Sequence, residues 1–284
     1  MSYAANFKKL SDFITHRGLL NISIMTDGDG TVFDFQDRPE DVSAPASLIE
    51  DIQYLSQHAR SFNMITGRDI AFIDRCLAPL QVNISAEHHT MRRMSNGPIE
   101  TLATAINWMP LEDDFNKVSE IAKGVWVESN KMTSRTIHYR LVDAAMQPLV
   151  EKEILVAAKK IADMYNKTAL AKDYLGVKQG ALAIEIGSHA QDKGKALAEF
   201  MDRPENAGAV PLFFGDSKAD EPAGLEAIRL GGSYGAVGPD KEQQKLANFH
   251  FENPENFRHA LSEICKINRN IIKANEHFRS YDVS

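Results

Sequence analysis

The sequence predicts an α/β protein, a Rossmann-like parallel sheet interrupted by a smaller α/β insertion. Three observations lead there. Short β-prone apolar runs alternate with helical patterns near the start of the chain and again towards its end, as parallel strands joined by crossover helices do. Three of these runs stop in polar turns rich in Asp, Gly, Thr or Lys, at the place where open α/β sheets bind their ligands. Between the two stretches the texture changes to half-exposed alternation and one long helix. The expected division is 1–110 for the first part of the core, 111–180 for the insertion and 181–284 for the second part of the core.

The elements follow in order. Residues 21–26 are a β-prone run that ends at Asp27-Gly-Asp-Gly30, and Pro45 opens a helix with Leu48, Ile49, Ile52 and Leu55 on one face. Residues 61–65 form a second strand ending in Thr66-Gly-Arg68, and 82–85 a third. In the middle, 125–128 and 135–140 alternate like antiparallel strands, 148–165 is a long helix, and 169–172 is a further candidate strand. The core rhythm is expected to resume with a strand at 181–186, a helix at 193–201, a buried strand at 211–214, a helix at 222–230 and a short final strand at 235–237. The tail after Pro254, with Ile267, Ile271 and Ile272 among charges, reads as a surface helix or as part of a homodimer contact, so monomer and homodimer both stay open.

Composition removes several classes of function. Across 284 residues, 32 Lys and Arg stand against 39 Asp and Glu, a net charge of −7. Such a chain lacks the basic stripe that nucleic acid or an anionic membrane requires. No stretch of about 18 apolar residues is present to span a bilayer. Two distant cysteines, Cys76 and Cys265, make no disulfide framework and no zinc spacing. With no signal-like apolar stretch at the N-terminus, a cytoplasmic location is expected. The pair His88-His89 has no third ligand at a spacing that suits zinc.

The strand-end turns carry the chemistry. Asp27 and Asp29, one residue apart beyond a strand, can hold a hard cation while one attacks phosphorus and the other moves a proton. A calcium loop starting at Asp27 fails, because Val32 and Arg38 stand where such a loop needs Gly and Glu. Thr66 and Gly67 offer a hydroxyl and exposed backbone N–H groups to a phosphate. Gly215-Asp216-Ser-Lys-Ala-Asp220 again places two carboxylates after a buried strand, and Lys193 opens a helix from which its ammonium can offset the crowded charge.

The order Asp-x-Asp-Gly-Thr, Thr-Gly-Arg, Lys, Gly-Asp-x-x-x-Asp resembles the haloacid-dehalogenase-type phosphatases over nearly the whole chain. That resemblance implies Asp27 as nucleophile, Asp29 as general acid and base, and Thr66 and Lys193 as phosphate ligands. It implies Mg²⁺ held by Asp27, by Asp29 through its backbone carbonyl and by Asp216, with Asp220 supporting the metal site. The insertion resembles the cap of the trehalose-6-phosphate phosphatases. Lys131, His138-Tyr139-Arg140, Glu185 eight residues before Lys193, Asp220-Glu221, and His88 with Arg92-Arg93 carry the likeness. It implies sugar contacts from Arg68, Glu128, Lys131, His138, Arg140 and Glu185, although Arg140 can equally be an ion pair of the cap sheet.

The chain departs from that family's pattern at several positions. Glu128 stands three residues before Lys131 instead of two, and Gly187-Ser188 replaces a cation and a proline after Glu185. His89 and Met91 replace a Gly and a Glu, and Ser217 and Ala219 replace an Asp and a Thr in the last acidic motif. Trp108 and Trp126 read as packing residues. The implied activity is hydrolysis of trehalose 6-phosphate. The alternatives are another sugar phosphate, such as a glycosylglycerol phosphate or hexose phosphate, and a non-catalytic sugar-phosphate sensor.

Overall fold

The computed structural model describes residues 2–281 other than 37, 39, 40, 96, 171–173, 181 and 189–191. Its elements are α1 (Tyr3–Arg17), β1 (Ile22–Thr26), α2 (Ala46–His58), β2 (Ser61–Ile65), α3 (Ile70–Leu77), β3 (Asn83–Ala86), β4 (Met91–Arg93) and β5 (Ile99–Thr101). Then come α4 (Glu112–Ser119), β6 (Trp126–Glu128), β7 (Ser134–His138), α5 (Gln147–Asn166), β8 (Leu175–Gly180) and β9 (Ala183–Ser188). The chain closes with α6 (Lys193–Met201), β10 (Val210–Gly215), α7 (Glu221–Arg229), β11 (Ser233–Val237), α8 (Lys241–Leu246), β12 (Phe249–Phe251) and α9 (Pro254–Tyr281).

Eight strands form the main sheet in the order β12-β11-β10-β1-β2-β3-β4-β5. It is parallel from β12 to β3 and turns antiparallel for β4 and β5. Strand β1 lies in the middle and is buried along its whole length, because both faces are covered. Its alternation divides the packing: Ile22 and Ile24 meet Leu48, Ile52 and Phe257 of α2 and α9, whereas Met25 meets Ala196, Leu197 and Ala223 of α6 and α7. Strand β10 repeats the division, with Leu212 and Phe214 on the first side and Phe213 on the second.

The second sheet, β6-β7-β9-β8, is antiparallel throughout. One of its faces is apolar: Ile137, Ile184 and Ile186 pack on Ile154, Ala158 and Ile161 of α5, with Phe115 and Val118 of α4 in the same cluster. The residues alternating with these, Glu128, Thr136, His138 and Glu185, face a cleft against the main sheet.

Several expectations need correction. The strand expected to restart the core at 181–186 is β9, which pairs on one side with β7 and on the other with β8. Its partner β8, with Lys178, Gln179 and Gly180, lacks an apolar strand signature, so the hairpin was hidden and the main core resumes at α6. Residues 169–170 are not strand, and 171–172 lie outside the described residues. Strand β7 stops at His138, which leaves Tyr139 and Arg140 beyond it. Strand β11 is not the last, since β12 extends the sheet. The tail helix is not a surface helix over its first part: Phe257, Leu261, Ile264 and Cys265 are buried, at a spacing that lays one stripe on the core. Helices α1, α3, α4 and α8 and the antiparallel strands β4 and β5 were not foreseen. Among the described residues no helix is long and apolar enough to cross a membrane.

Phe214 ties strand β10 to α9, its ring centroid 4.3 Å from that of Phe257. Phe214→Ala should lower unfolding free energy by roughly 3–5 kcal/mol through the cavity it leaves. Chemical denaturation measures the loss, and a loss near zero would show that this face of the core is not closely packed.

Candidate active site

Strands β10, β1 and β2 lie side by side and parallel, so their C-terminal ends open on one edge of the sheet. The chain continues the β1–β10 ladder for one more residue, the Asp27 N–H donating to the Phe214 carbonyl at 2.9 Å. It then coils tightly, with the Gly28 carbonyl accepting from the N–H groups of Thr31, Val32 and Phe33. Gly30 takes φ +76°, and a Cβ there would fall 2.4 Å from a carboxylate oxygen of Asp216. A side chain at this position would force apart the turns that follow β1 and β10.

Lys193, the first residue of α6, enters this edge and is buried. Its Nζ lies 2.8 Å from Asp27 Oδ1 and 2.6 Å from Asp220 Oδ1. The other oxygen of Asp220 accepts from the backbone N–H groups of Asp216 and Ser217 and from the Ser217 hydroxyl, at 3.0–3.1 Å. Both Asp220 oxygens are therefore engaged, and the residue supports the acidic loop from behind without lining the cleft. Oxygens of Asp27, Asp216 and Asp220 come within 4.8 Å of one another. One ammonium is a poor match for three carboxylates. Burial pushes Asp27 up to about 7 against the pull of Lys193, and Asp220 adds to the rise. Asp216 is raised well above the carboxylate range by burial and then by Asp220 and Asp27. Lys193 is held above its ordinary range, since its two carboxylates outweigh burial. An all-oxygen acidic set with surplus negative charge fits a hard divalent cation.

Beside this cluster, Thr66 follows β2 and is buried, and its Oγ1 accepts the Arg68 N–H at 3.1 Å. The Arg68 guanidinium forks onto Asp29, Nε at 2.7 Å and Nη2 at 3.2 Å, and stands 3.8 Å from Glu128 of the second sheet. Gly67 packs on the His88 ring, where a Cβ would meet Nε2 at 2.8 Å.

Register builds the opposite wall. Glu128 pairs with Thr136, Thr136 with Glu185 and Glu185 with Lys178, so one polar row crosses the second sheet. Lys131, on the β6–β7 loop, reaches the row with Nζ at 3.0 Å from Thr136 Oγ1, 3.4 Å from Glu185 and 3.6 Å from Glu128. Burial pushes Glu128 up, but His138, Lys131 and Arg68 together bring it down to about 2. Glu185, buried against His88 and Lys131, is held well below the carboxylate range for the same kind of reason. Burial keeps His88 and His138 below the usual histidine range, so each serves its carboxylate as a neutral N–H donor.

One cleft is lined by Asp27, Asp29, Thr66, Gly67, Arg68, Glu128, Lys131, His138, Arg140, Glu185, Lys193 and Asp216. Among the residues named from sequence, only Asp220 stands behind the surface. The extra residue between Glu128 and Lys131 does not keep Glu128 out. Arg140 Nη1 donates to the Gln36 carbonyl at 2.6 Å, joining the second sheet to the core loop after β1. Trp126 stacks on His138 with centroids 4.1 Å apart, and buried Trp108 donates to the Met132 carbonyl. His89 binds Ser85 and Glu199, away from the cleft. Missing from the sequence-based set are Phe35, His88, Thr136, Gly180, Ala183, Ser217 and Ala219. The period-two alternation with Ile137 was the available signal for Thr136. Half-exposed Phe35 carried none.

The raised Asp27 fixes a pH dependence for the metal-free protein. The folded form holds this proton up to about pH 7, whereas an unfolded aspartate releases it near 3.8. The folded state therefore binds more protons in that window, and stability falls as pH rises through it. Asp216 adds to the slope. Asp27→Asn should flatten the profile of melting temperature against pH in a chelating buffer. An unchanged slope would show that Asp27 carries no such burden.

The comparisons agree with this geometry. The family model described as Trehalose-phosphatase matches residues 25–226. A trehalose-6-phosphate phosphatase from Escherichia coli K12 is 27% identical over 220 residues, 76% of this chain and 77% of that protein. A probable trehalose-phosphate phosphatase from Sinorhizobium fredii is 26% identical over 223 residues, 77% of this chain and 78% of its own. Among solved structures, the C-terminal domain of the C. albicans trehalose-6-phosphate phosphatase superposes with a TM-score of 0.77 at 20% identity, over 94% of this chain and 97% of that one. A trehalose-6-phosphate phosphatase related protein gives 0.69 at 23% identity, over 87% and 99%. The chain belongs to the trehalose-phosphatase family, and so to the phosphoric monoester hydrolases.

Proposed function

We propose that the protein hydrolyses trehalose 6-phosphate to trehalose and inorganic phosphate, with Mg²⁺, through an aspartyl-phosphate on Asp27. One observation carries the reading: a cluster fit for phosphoryl transfer, Asp27 with Lys193 and Asp216, faces a row of sugar-matching groups, Glu128, Thr136 and Glu185 with Lys131, across one cleft. Charged and hydroxyl groups arranged in this way suit the several hydroxyls of a disaccharide.

In this reading Thr66, the Gly67 backbone and Lys193 hold the phosphoryl oxygens. Asp27 attacks phosphorus, the bond from its carboxylate oxygen to phosphorus forms, and the bond from phosphorus to the sugar oxygen breaks. Asp29 gives a proton to that departing oxygen. Water then attacks phosphorus, Asp29 takes its proton back, and phosphate leaves with Asp27 restored. Asp27 and Asp216, with the Asp29 carbonyl, would hold Mg²⁺, which supplies neutralisation of the phosphoryl charge. Arg68 now occupies both oxygens of Asp29, so the sugar has to draw it away before Asp29 can carry a proton. Its second contact, Glu128, gives it a place to go.

A different sugar phosphate is the second reading, and Gly187 favours it. A Cβ at Gly187 would meet the Ser134 Cβ at 2.9 Å and come 3.5 Å from Glu185 Oε1, so no side chain, and no cation, stands beside Glu185 at this position.

Phosphate release from a panel of sugar phosphates with Mg²⁺ separates the two. Trehalose 6-phosphate should be preferred, and Asp27→Asn should lower kcat by roughly 10⁴-fold or more while the protein stays folded. Preference for another ester would move the assignment to that ester. Binding without release across the panel would mean a sensor, and substantial turnover by Asp27→Asn would remove Asp27 as nucleophile.

A further inference from the structure

Between β3 and β4 the chain runs through Glu87, His88 and His89 at φ +47°, +55° and +77°, three successive side-chain-bearing residues in the left-handed region. L residues avoid this region, and such a run persists only where its contacts hold it. Each residue grips a different part of the molecule. His89 fastens the run to the core, through the Ser85 hydroxyl at 3.0 Å and Glu199 of α6 at 2.8 Å. His88 reaches Glu185 of β9 at 2.9 Å, within the cleft.

Glu87 faces elsewhere. It is 3% exposed and does not line the cleft. Its Oε2 accepts the backbone N–H of Met132 at 3.1 Å, that of Thr133 at 3.4 Å and the Thr133 hydroxyl at 3.2 Å. The Thr133 hydroxyl also meets Thr90 Oγ1 at 2.8 Å, and Thr90 donates back to the Glu87 carbonyl at 3.0 Å. A buried carboxylate thus takes hold of two successive amides of the β6–β7 loop, immediately after Lys131.

We propose that Glu87 is a positioning residue, a core carboxylate that clamps the β6–β7 loop onto the main domain and so presents Lys131 to the sugar. Two successive N–H groups on one carboxylate fix both the height and the direction of the loop, and the preceding side chain is thereby aimed at the Glu128–Thr136–Glu185 row. Of the other polar ties between the two sheets' domains, Arg68 to Glu128 and His88 to Glu185 lie within the cleft where a substrate must go, whereas Asn130 to Asp69 and Arg140 to the Gln36 carbonyl hold other points and leave the amides next to Lys131 to Glu87. Glu87 keeps its hold throughout, because it lies outside the cleft. The inference rests on the sugar-phosphate reading of the cleft and deepens it: selectivity for a large sugar ester depends on a residue that never touches the sugar.

The test compares two substrates in the Mg²⁺-loaded enzyme, trehalose 6-phosphate and the small aryl ester p-nitrophenyl phosphate, which has no sugar for the clamped loop to meet. Glu87→Ala should lower kcat/KM for the sugar ester by roughly tenfold or more, mainly through KM, and leave the aryl ester within about twofold. Glu87→Gln, which keeps an acceptor oxygen, should recover most of the loss. Equal losses on both esters, or none on the sugar ester, would overturn the proposal. Should Glu87→Ala not fold, Thr133→Val removes one of the three bonds from the other side and is judged by the same split, with a loss of about threefold expected. If the unsubstituted enzyme prefers another sugar phosphate, that ester replaces trehalose 6-phosphate, so the substrate assignment fails separately from the clamp.

Discussion

A single ammonium makes the acidic edge of this sheet possible. Strands β1 and β10 run parallel and adjacent, so the polar turns that follow them must share one small volume, and both carry aspartates. Gly30 lets the turns come together, and Gly215 lets Asp220 fold back on β10, where a Cβ would meet the Asp220 carboxyl carbon at 2.4 Å. The carboxylates so gathered repel one another in a poorly solvated place. Lys193 answers two of them at once, and removing one partner of such a buried pair typically costs about 3–5 kcal/mol. It leaves Asp216 without an ammonium of its own. That remaining deficit suits the edge to the divalent cation proposed for it, which would in turn make it hospitable to a phosphate.

The second sheet contributes through its alternation. Isoleucines on one face bury it against α5, and the residues between them are free to be polar and to meet the main sheet. Register then sets Glu128, Thr136 and Glu185 side by side, while Lys131 joins them from a loop. Each of these charges is answered by a neighbour, so the wall stays folded with the carboxylates ionised and the histidines neutral. In the proposed reading, a sugar with many hydroxyls would exchange these contacts one for one, with little left unpaired along the way.

Legibility in the sequence followed the range of each interaction. The turns after β1, β2 and β10 were readable because strand, stop and polar residues are consecutive, and the resemblance supplied their roles. The sheet positions of the later strands were not readable. Strand β9 looks like a core strand, Ala-Ile-Glu-Ile, and only its long-range pairing with β7 and with the polar β8 assigns it to the smaller sheet. His88 was noticed beside His89 but its partner Glu185 lies 97 residues away in sequence. Glu87 gave no signal, since its importance lies in a backbone conformation and in amides of a distant loop. Helix α9 was misjudged because charged residues separate the apolar positions that form its buried stripe.

The claim on which the rest turns is that the buried Asp27, held by Lys193, takes the phosphoryl group from the substrate. Rapid mixing with a phosphorus-labelled sugar phosphate, acid quenching and borohydride reduction addresses it directly. The expected result is label on protein during turnover and homoserine at position 27 after reduction. Product formation with no labelled protein, or reduction at a different carboxylate, would contradict it.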